Sequence, residues 1–266
     1  MPTLHGPLRY TGTIDELVAY QMKGSDKTIV RRKAFITKGA YQKEPQYAAM
    51  RRNSAEFAIC ARAGKMVRTA LPIIMRLTDQ NMTPVLQGFC KILQKRDTVH
   101  PHGERPVLFS MHKEALTSLP FTKRHLFDSV WKQRPVATLL REKTALHIQI
   151  GELLPGFNFQ LPWQKPYFRI IASLAAIQDV YADQIKYPSI LYTKDLPSTT
   201  VFSDWMMAKK TVPAHCMNLQ LENIDLIEDA GITWVGAIGI EMGEPDLTGT
   251  IQPVKYACTA RILVTG

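Results

Sequence analysis

The chain has 266 residues, and its balance of 45% hydrophobic and 21% charged residues is typical of a globular protein rather than a disordered one. No run of about 18 apolar residues occurs, so the sequence predicts no transmembrane helix and no membrane partner. The formal net charge of +10 is unevenly distributed, since residues 1–150 carry +14 and residues 151–266 carry −4.

The cysteines and the first residues of the chain indicate the cellular compartment. The first residues lack the basic stretch and apolar run of a signal peptide. The four cysteines, Cys60, Cys90, Cys216 and Cys258, form no Cys-x-x-Cys pair. We therefore expect four reduced, mostly buried thiols and a cytoplasmic protein, with two disulfides in an exported protein as the alternative.

The first predicted element is a β-hairpin. Thr11–Met22 and Lys27–Lys33 contain β-compatible residues, and the Lys23–Asp26 segment between them has turn chemistry. The polar segment Lys38–Pro45 that follows is predicted to be irregular.

Two helices are predicted next. Gln46–Leu71 is rich in alanine, and a spacing of about 100° per residue places Ile59, Ala63 and Val67 on one side. Glu56 falls at the edge of that side, where an ion pair with Arg52 is predicted. Pro72 should end or kink this helix, and a second helix should run from Thr78 or Thr83 to about Arg96.

The remaining chain, residues 105–266, is predicted to be rich in short strands separated by proline and glycine, which is typical of a β-sandwich or open barrel. The predicted strands are Pro106–Met111, Ala145–Leu153, Tyr167–Ala175, Ile190–Tyr192, Thr200–Ala208, Cys216–Leu221, Ile232–Met242 and Val254–Val264. The predicted fold class is therefore α+β, with a basic hairpin and two-helix lobe at 1–103 and a sandwich-like antiparallel lobe at 104–266. Alternatively, the first helix covers a face of the sheet and the chain is one integrated domain.

The sequences MKGSDKTIVRRK and RRNSAEFAICARAGKMVRTAL resemble a group of bacterial proteins to which no function is attached. The resemblance covers roughly residues 20–72. It implies a bacterial origin and identifies no catalytic or binding residue.

Sequence motifs for catalysis and cofactor binding are weak. There is no glycine-rich phosphate loop, and Gly236 and Gly239 fall inside a predicted strand, where close packing or a bulge explains them better. His100 and His102 could hold a metal ion if they lay on a strand, but Pro101 and Gly103 favour a loop with solvated histidines. No cofactor is expected.

Other reactive groups have ordinary explanations. His215 is predicted to lie on a polar face and Cys216 in the core, because neighbours on a strand point to opposite faces. The acid pairs Glu222–Asp225, Glu228–Asp229 and Glu241–Asp246 are predicted to be solvated in turns and in a hairpin loop.

The strongest signal is the charge of +10 within residues 23–76. Its candidate anion-binding or partner-binding residues are Arg31, Arg32, Arg51, Arg62, Lys65 and Arg68. Three interpretations stay open: a solvated helix face, an acidic protein partner that includes another copy of the chain, and a nucleic acid held through its phosphates. The sequence thus favours a non-enzymatic binding or assembly protein. The alternatives are a sequence-nonspecific nucleic-acid-binding protein and a hydrolase without a motif whose site lies in the loops of the β lobe.

Overall fold

The computed structural model describes residues 3–4, 10–22, 25–33, 36–140, 144–183, 196–221 and 231–266. The chain forms two compact units, Met1–Arg51 and Arg52–Gly266, and the predicted boundary at 103/104 lies inside the second. Several predicted features lie outside the described residues, namely Lys23 and Gly24 of the turn, the strand Ile190–Tyr192 and the acid pairs Glu222–Asp225 and Glu228–Asp229.

The first unit contains a four-stranded antiparallel sheet in the order β1-β4-β3-β2. Its strands are β1 (Thr3–Leu4), β2 (Gly12–Ile14), β3 (Leu17–Gln21) and β4 (Thr28–Arg32). The hairpin is present between β3 and β4, and the first predicted strand is divided in two by a turn at Asp15, whose φ of 51° is left-handed. The irregular segment predicted after the hairpin is instead a short helix, α1 (Lys38–Lys43), because the Thr37 hydroxyl accepts a hydrogen bond from the Ala40 amide at 3.1 Å.

The helices that follow agree closely with the sequence pattern. A 3₁₀ turn (Pro45–Tyr47) leads into α2 (Ala48–Ala70), and Pro72 opens a separate short helix, α3 (Pro72–Arg76). The second predicted helix is α4 (Met82–Lys95), which the Asn81 side chain caps. A 3₁₀ segment (Ser110–Ser118) and α5 (Phe127–Val130) complete the helical part.

Two antiparallel sheets make up the rest of the second unit. Its strands are β5 (Val136–Leu140), β6 (Ala145–Ile150), β7 (Tyr167–Gln178), β8 (Ser198–Phe202), β9 (Met206–Met207), β10 (His215–Gln220), β11 (Ile232–Pro245) and β12 (Ile251–Thr265). One sheet has the order β10-β6-β5, and the larger has the order β12-β11-β7-β8 with β9 beside β7. Helices and antiparallel sheets together make an α+β fold.

The larger sheet is covered on both faces by different layers. One face joins the helices in a core that contains Ile59, Ile74 and Leu86 from the helices and Ile171 from β7. The opposite face joins the smaller sheet in a second core that is centred on aromatic rings. The alternation of β7 residues between these cores explains why that strand is apolar along nearly its whole length.

One predicted strand is absent, and an edge strand was missed. Pro106–Met111 forms no strand: Val107 makes a single bridge to Val180, and a 3₁₀ segment starts at Ser110. The strand β5 was not predicted, because the sequence Val-Ala-Thr-Leu-Leu at 136–140 has no clear alternation of polar and apolar residues, although it pairs with β6 as an edge strand. No helix among the described residues is long and apolar enough to cross a membrane.

The glycines of β11 confirm the packing explanation. A Cβ atom on Gly236 would approach Leu146 and Val264 to 2.9 Å, and one on Gly239 would lie 2.2 Å from Leu77. The two glycines therefore face opposite cores, and each permits a close approach by a covering layer.

We expect Gly239→Ala to lower the free energy of unfolding by about 1–3 kcal/mol, because the buried Leu77 must leave its position in a packed core. Gly88→Ala is the matched control, because it places the same methyl group in open space on α4 and should stabilise the protein by about 0.5–1 kcal/mol. Urea unfolding of both variants measures the difference, and equal shifts would contradict the packing of α3 on β11.

Candidate functional site

Two of the candidate anion-binding residues, Arg31 and Arg32, end strand β4 in the first unit. The Arg31 guanidinium lies over the Tyr20 ring, 5.6 Å from its centroid. Arg32 Nε lies 3.7 Å from the Glu16 carboxylate, and both of these side chains are exposed. Exposed pairs of this kind contribute little to stability, so both arginines are accessible to a partner.

Arg51, in contrast, binds its own backbone. Its Nη1 donates to the Tyr41 carbonyl oxygen at 2.6 Å and to the Glu44 carbonyl oxygen at 3.0 Å. These carbonyls lie at the end of α1, where backbone acceptors lack helical partners. The guanidinium therefore holds α1 and the start of α2 in place.

The three remaining candidate residues, which lie in the C-terminal half of α2, differ in exposure. Lys65 is exposed, whereas Arg62 and Arg68 are half-buried. Arg68 Nη1 donates to Thr83 Oγ1 at 3.0 Å, so this side chain joins α2 to α4. The predicted buried face, with Ile59, Ala63 and Val67 in the core, is confirmed. Of these three basic side chains, Lys65 is therefore the most accessible, because Arg62 and Arg68 are partly buried.

The sheet of the first unit has very little interior. Among its described side chains, only Ala19 and Thr28 are buried. The apolar residues Ile14, Leu17 and Met22 are 57%, 43% and 52% exposed and lie in or next to strands β2 and β3. Apolar and basic side chains therefore share one exposed sheet.

The second unit contains a buried carboxylate, Glu56, which has no accessible surface. Arg105 contacts it through two nitrogens, with Nε 2.6 Å from Oε1 and Nη2 3.0 Å from Oε2. The Gly103 amide donates to Oε1 at 3.1 Å, and the Lys91 ammonium contacts Oε2. Predicted as a partner of Arg52, Glu56 instead binds residues 35 to 49 positions further along the chain.

A buried glutamine completes this arrangement, which we name the Glu56 cluster (Glu56, Lys91, Gln94, Gly103 and Arg105). Gln94 Nε2 donates to the Arg105 carbonyl oxygen at 2.7 Å, and its Oε1 accepts from Lys91 at 2.9 Å. The cluster links α2, α4 and the loop that follows α4. Every charge in it has a partner, which is the condition under which buried charges are stable.

The pKa of Glu56 is lowered to about 2, although burial by itself raises it. Hydrogen bonds from Arg105, Lys91 and the Gly103 amide outweigh that burial, since they favour the ionised form. The carboxylate is therefore a permanent anion at neutral pH, which suits a structural link rather than a proton-transfer group.

The two candidate metal ligands follow α4 and have different partners. His100 Nδ1 lies 2.7 Å from Asp97 Oδ2, whereas His102 Nε2 lies 2.9 Å from Asn53 Oδ1 and 3.7 Å from Glu56. In the part of the chain that the structure describes, no three His, Cys, Asp or Glu residues are grouped to hold a metal ion.

The acid pair Glu241–Asp246 is divided between two environments. Asp246 lies in the hairpin loop, as predicted, and accepts a hydrogen bond from the Thr248 amide at 2.8 Å. Glu241 is buried on β11 rather than solvated, because Arg169 donates two hydrogen bonds to it at 2.9 and 2.6 Å. The Arg169 guanidinium also lies 4.5 Å from the Trp205 ring centroid, so this pair supports the sheet.

All four cysteines are free, and their environments differ. Burial raises the pKa of Cys60 to about 11 and that of Cys258 to about 12, and it also raises the pKa of Cys90. Cys216 was predicted to lie in the core but is exposed, because Met217 and Leu219 form the inward face of β10. Sequence alternation could have identified this register, since Met217, Leu219 and Leu221 are the apolar residues.

No protein-family model, curated protein or solved structure matches this chain. The resemblance of residues 20–72 to a bacterial group stays a prediction.

We expect Glu56→Gln to destabilise the protein by about 3 kcal/mol at pH 7, because a pKa lowered from 4.5 to about 2 stabilises the folded state by that amount. This contribution is complete above about pH 4.5 and is lost as the pH falls towards 2, since the folded pKa is the lower one. Urea unfolding from pH 7 to pH 2 should show a flatter dependence in the variant. Glu104→Gln, an exposed neighbour, is the control, and equal behaviour of the two variants would contradict the assignment.

Thiol titration should separate the cysteines by exposure. In the native protein we expect one fast-reacting thiol, Cys216, and in denaturant without reductant we expect four. Cys216→Ser should remove the fast reaction and leave three slow thiols. Fewer than four thiols in denaturant would indicate a disulfide and an oxidising compartment.

Proposed function

We propose that this chain is a non-enzymatic binding or assembly protein whose basic N-terminal unit docks on an acidic protein surface. The observation that carries this proposal is the four-stranded sheet of the first unit, which has two buried side chains among those described. Sheets normally gain stability by burying an apolar face, so a sheet that leaves Ile14 and Leu17 exposed is suited to cover by a partner.

The mixture of exposed groups favours a protein over a nucleic acid. A phosphate backbone rewards a continuous row of free cations, but Arg51 is committed to backbone carbonyls and Arg68 to Thr83. The exposed apolar residues beside Arg31 and Arg32 would gain nothing from phosphates. A protein interface with an apolar centre and a charged rim would satisfy both kinds of side chain.

The negative charge that the chain itself offers lies in the C-terminal sequence of a second copy. Residues 151–266 carry a net charge of −4, whereas residues 1–150 carry +14. A contact between the basic unit of one copy and the acidic part of another joins two different surfaces. Such a contact builds rings or open chains rather than a closed dimer, and it should weaken with salt because its charges are at the surface.

We expect the double variant Arg31→Glu/Arg32→Glu to lower the molar mass measured by light scattering at low salt to that of a monomer. The wild type should show larger species that dissociate as the NaCl concentration rises, because screening weakens attraction between exposed charges. Neither side chain is buried, so the variant should keep its thermal unfolding temperature.

Lys123→Glu/Arg124→Glu is the matched control, since it makes the same change in net charge at two exposed positions of the second unit. Assembly that is lost equally in both variants would indicate a net-charge effect and contradict the assignment. A wild type that stays monomeric at low salt would also contradict it. Binding to duplex DNA that is lost in the Arg31/Arg32 variant would instead favour a nucleic-acid partner.

A further inference from the structure

A long irregular segment connects β6 to β7. Residues 151–166 form no regular strand or helix and make only isolated bridges, such as the one between Leu153 and Val212. Sixteen residues without regular structure are unusual inside a compact unit and usually serve a function. This segment therefore requires an explanation beyond chain connection.

The segment is held rigidly from within. The nearly buried Asn158 side chain accepts from the Leu154 amide at 2.7 Å and donates to the Glu152 carbonyl oxygen at 2.8 Å. Backbone bonds fix it from outside, since the Gln160 amide donates to the Val130 carbonyl oxygen at 2.7 Å. Its backbone is thus held in place, and a ligand would bind without the cost of ordering a loop.

Aromatic packing anchors the same segment to the second core. The Phe159 ring is 5.5 Å from the Trp131 ring and 5.0 Å from the Phe168 ring, measured between centroids. Trp163 is only half-buried, and His125 packs against it edge-on at 5.2 Å. The segment therefore keeps one aromatic ring in the core and presents another at the surface.

A cavity of about 760 Å³ lies against this segment, within the usual size range of ligand-binding pockets, about 300–1,000 Å³. Its walls combine aromatic rings with amide and ammonium groups, and they include Phe159, Gln160, Trp163, Gln164, Lys165 and Lys209. Lys165 is paired with Glu244 at 2.5 Å, so Lys209 is the unpaired ammonium among the described lining residues.

The lining residues disfavour two classes of ligand, polyanions and purely apolar molecules. One unpaired ammonium provides weak attraction for a polyanion, because phosphate sites combine several donors or charges. Gln160 and Gln164 are exposed, and Gln160 Nε2 donates to the Gly156 carbonyl oxygen at 3.3 Å. A purely apolar ligand would displace water from the Gln164 amide and from Gln160 Oε1 without replacing the hydrogen bonds of that water. A ligand with many hydroxyl groups avoids both problems, since each amide can both donate to and accept from a hydroxyl.

We propose that this cavity binds a neutral saccharide. The apolar face of a sugar ring would pack on Trp163, and its hydroxyl groups would bond to Gln160, Gln164 and Lys209. The Gln164 amide makes no hydrogen bond to another described residue, so it is available to a ligand. This proposal does not depend on the assembly function of the N-terminal unit.

The site binds the saccharide without cleaving it. Glycoside hydrolysis generally uses two carboxyl groups on either side of the bond. None of the described lining residues is an acid or a histidine, and Glu244 is bound to Lys165. The bound sugar should therefore be recovered intact.

Calorimetric titration with maltotetraose, cellotetraose, chitotetraose and laminaritetraose tests the proposal on the full chain. At least one should bind, and Trp163→Ala should weaken that binding about tenfold through loss of the ring contact. Gln164→Ala should weaken it about threefold to tenfold through loss of hydrogen bonds. Gln149→Ala removes the same group from an exposed position on β6 and should leave the affinity unchanged.

Thermal unfolding of each variant checks that it is folded, and Gln164→Ala, at an exposed position, keeps the test valid if Trp163→Ala is unstable. The proposal is overturned if no tetrasaccharide binds at about 10 mM, well above the weakest affinities of interest. It is also overturned if binding is unchanged in both variants or if the sugar is cleaved. Binding of a proline decamer in place of sugars would overturn it in favour of a peptide ligand.

Discussion

The constraint on which the second unit depends is the burial of strands β7 and β11 on both faces. Each strand pairs with neighbours on both edges, so its backbone groups are satisfied within the sheet. Its side chains enter two separate cores, one shared with the helices and one shared with the smaller sheet. Both covering layers are therefore necessary, and each depends on the sheet for its own buried face.

The sequence was enough to predict those elements whose formation depends on neighbouring residues in the chain. The buried face of α2, the break at Pro72 and the hairpin between β3 and β4 follow from periodicity, proline geometry and turn residues. The short helix α1 was missed because its cap is a single threonine, Thr37, in a polar segment. The edge strand β5 was missed because pairing with β6, rather than its own pattern, holds it in the sheet.

The candidate site was harder to predict, because contacts with other segments decide which of its side chains stay accessible. A count of charges cannot show that Arg51 binds carbonyl oxygens or that Arg68 reaches Thr83. Glu56 is the clearest case, since its position on α2 predicted a local pair with Arg52, whereas its partners Lys91 and Arg105 lie on other segments. The cavity beside residues 151–166 likewise has no sequence motif, because its walls come from an irregular segment and from Ala208 and Lys209, which follow β9.

The sparse interior of the N-terminal unit also affects how the stability of this protein should be measured. The heat-capacity change on unfolding and the denaturant m-value both scale with the surface that becomes exposed. A unit with two buried side chains among those described exposes little new surface when it opens. A calorimetric or urea transition of the whole chain would therefore report almost entirely on residues 52–266. Loss of the first unit would pass nearly unseen, and a two-state analysis would miss it.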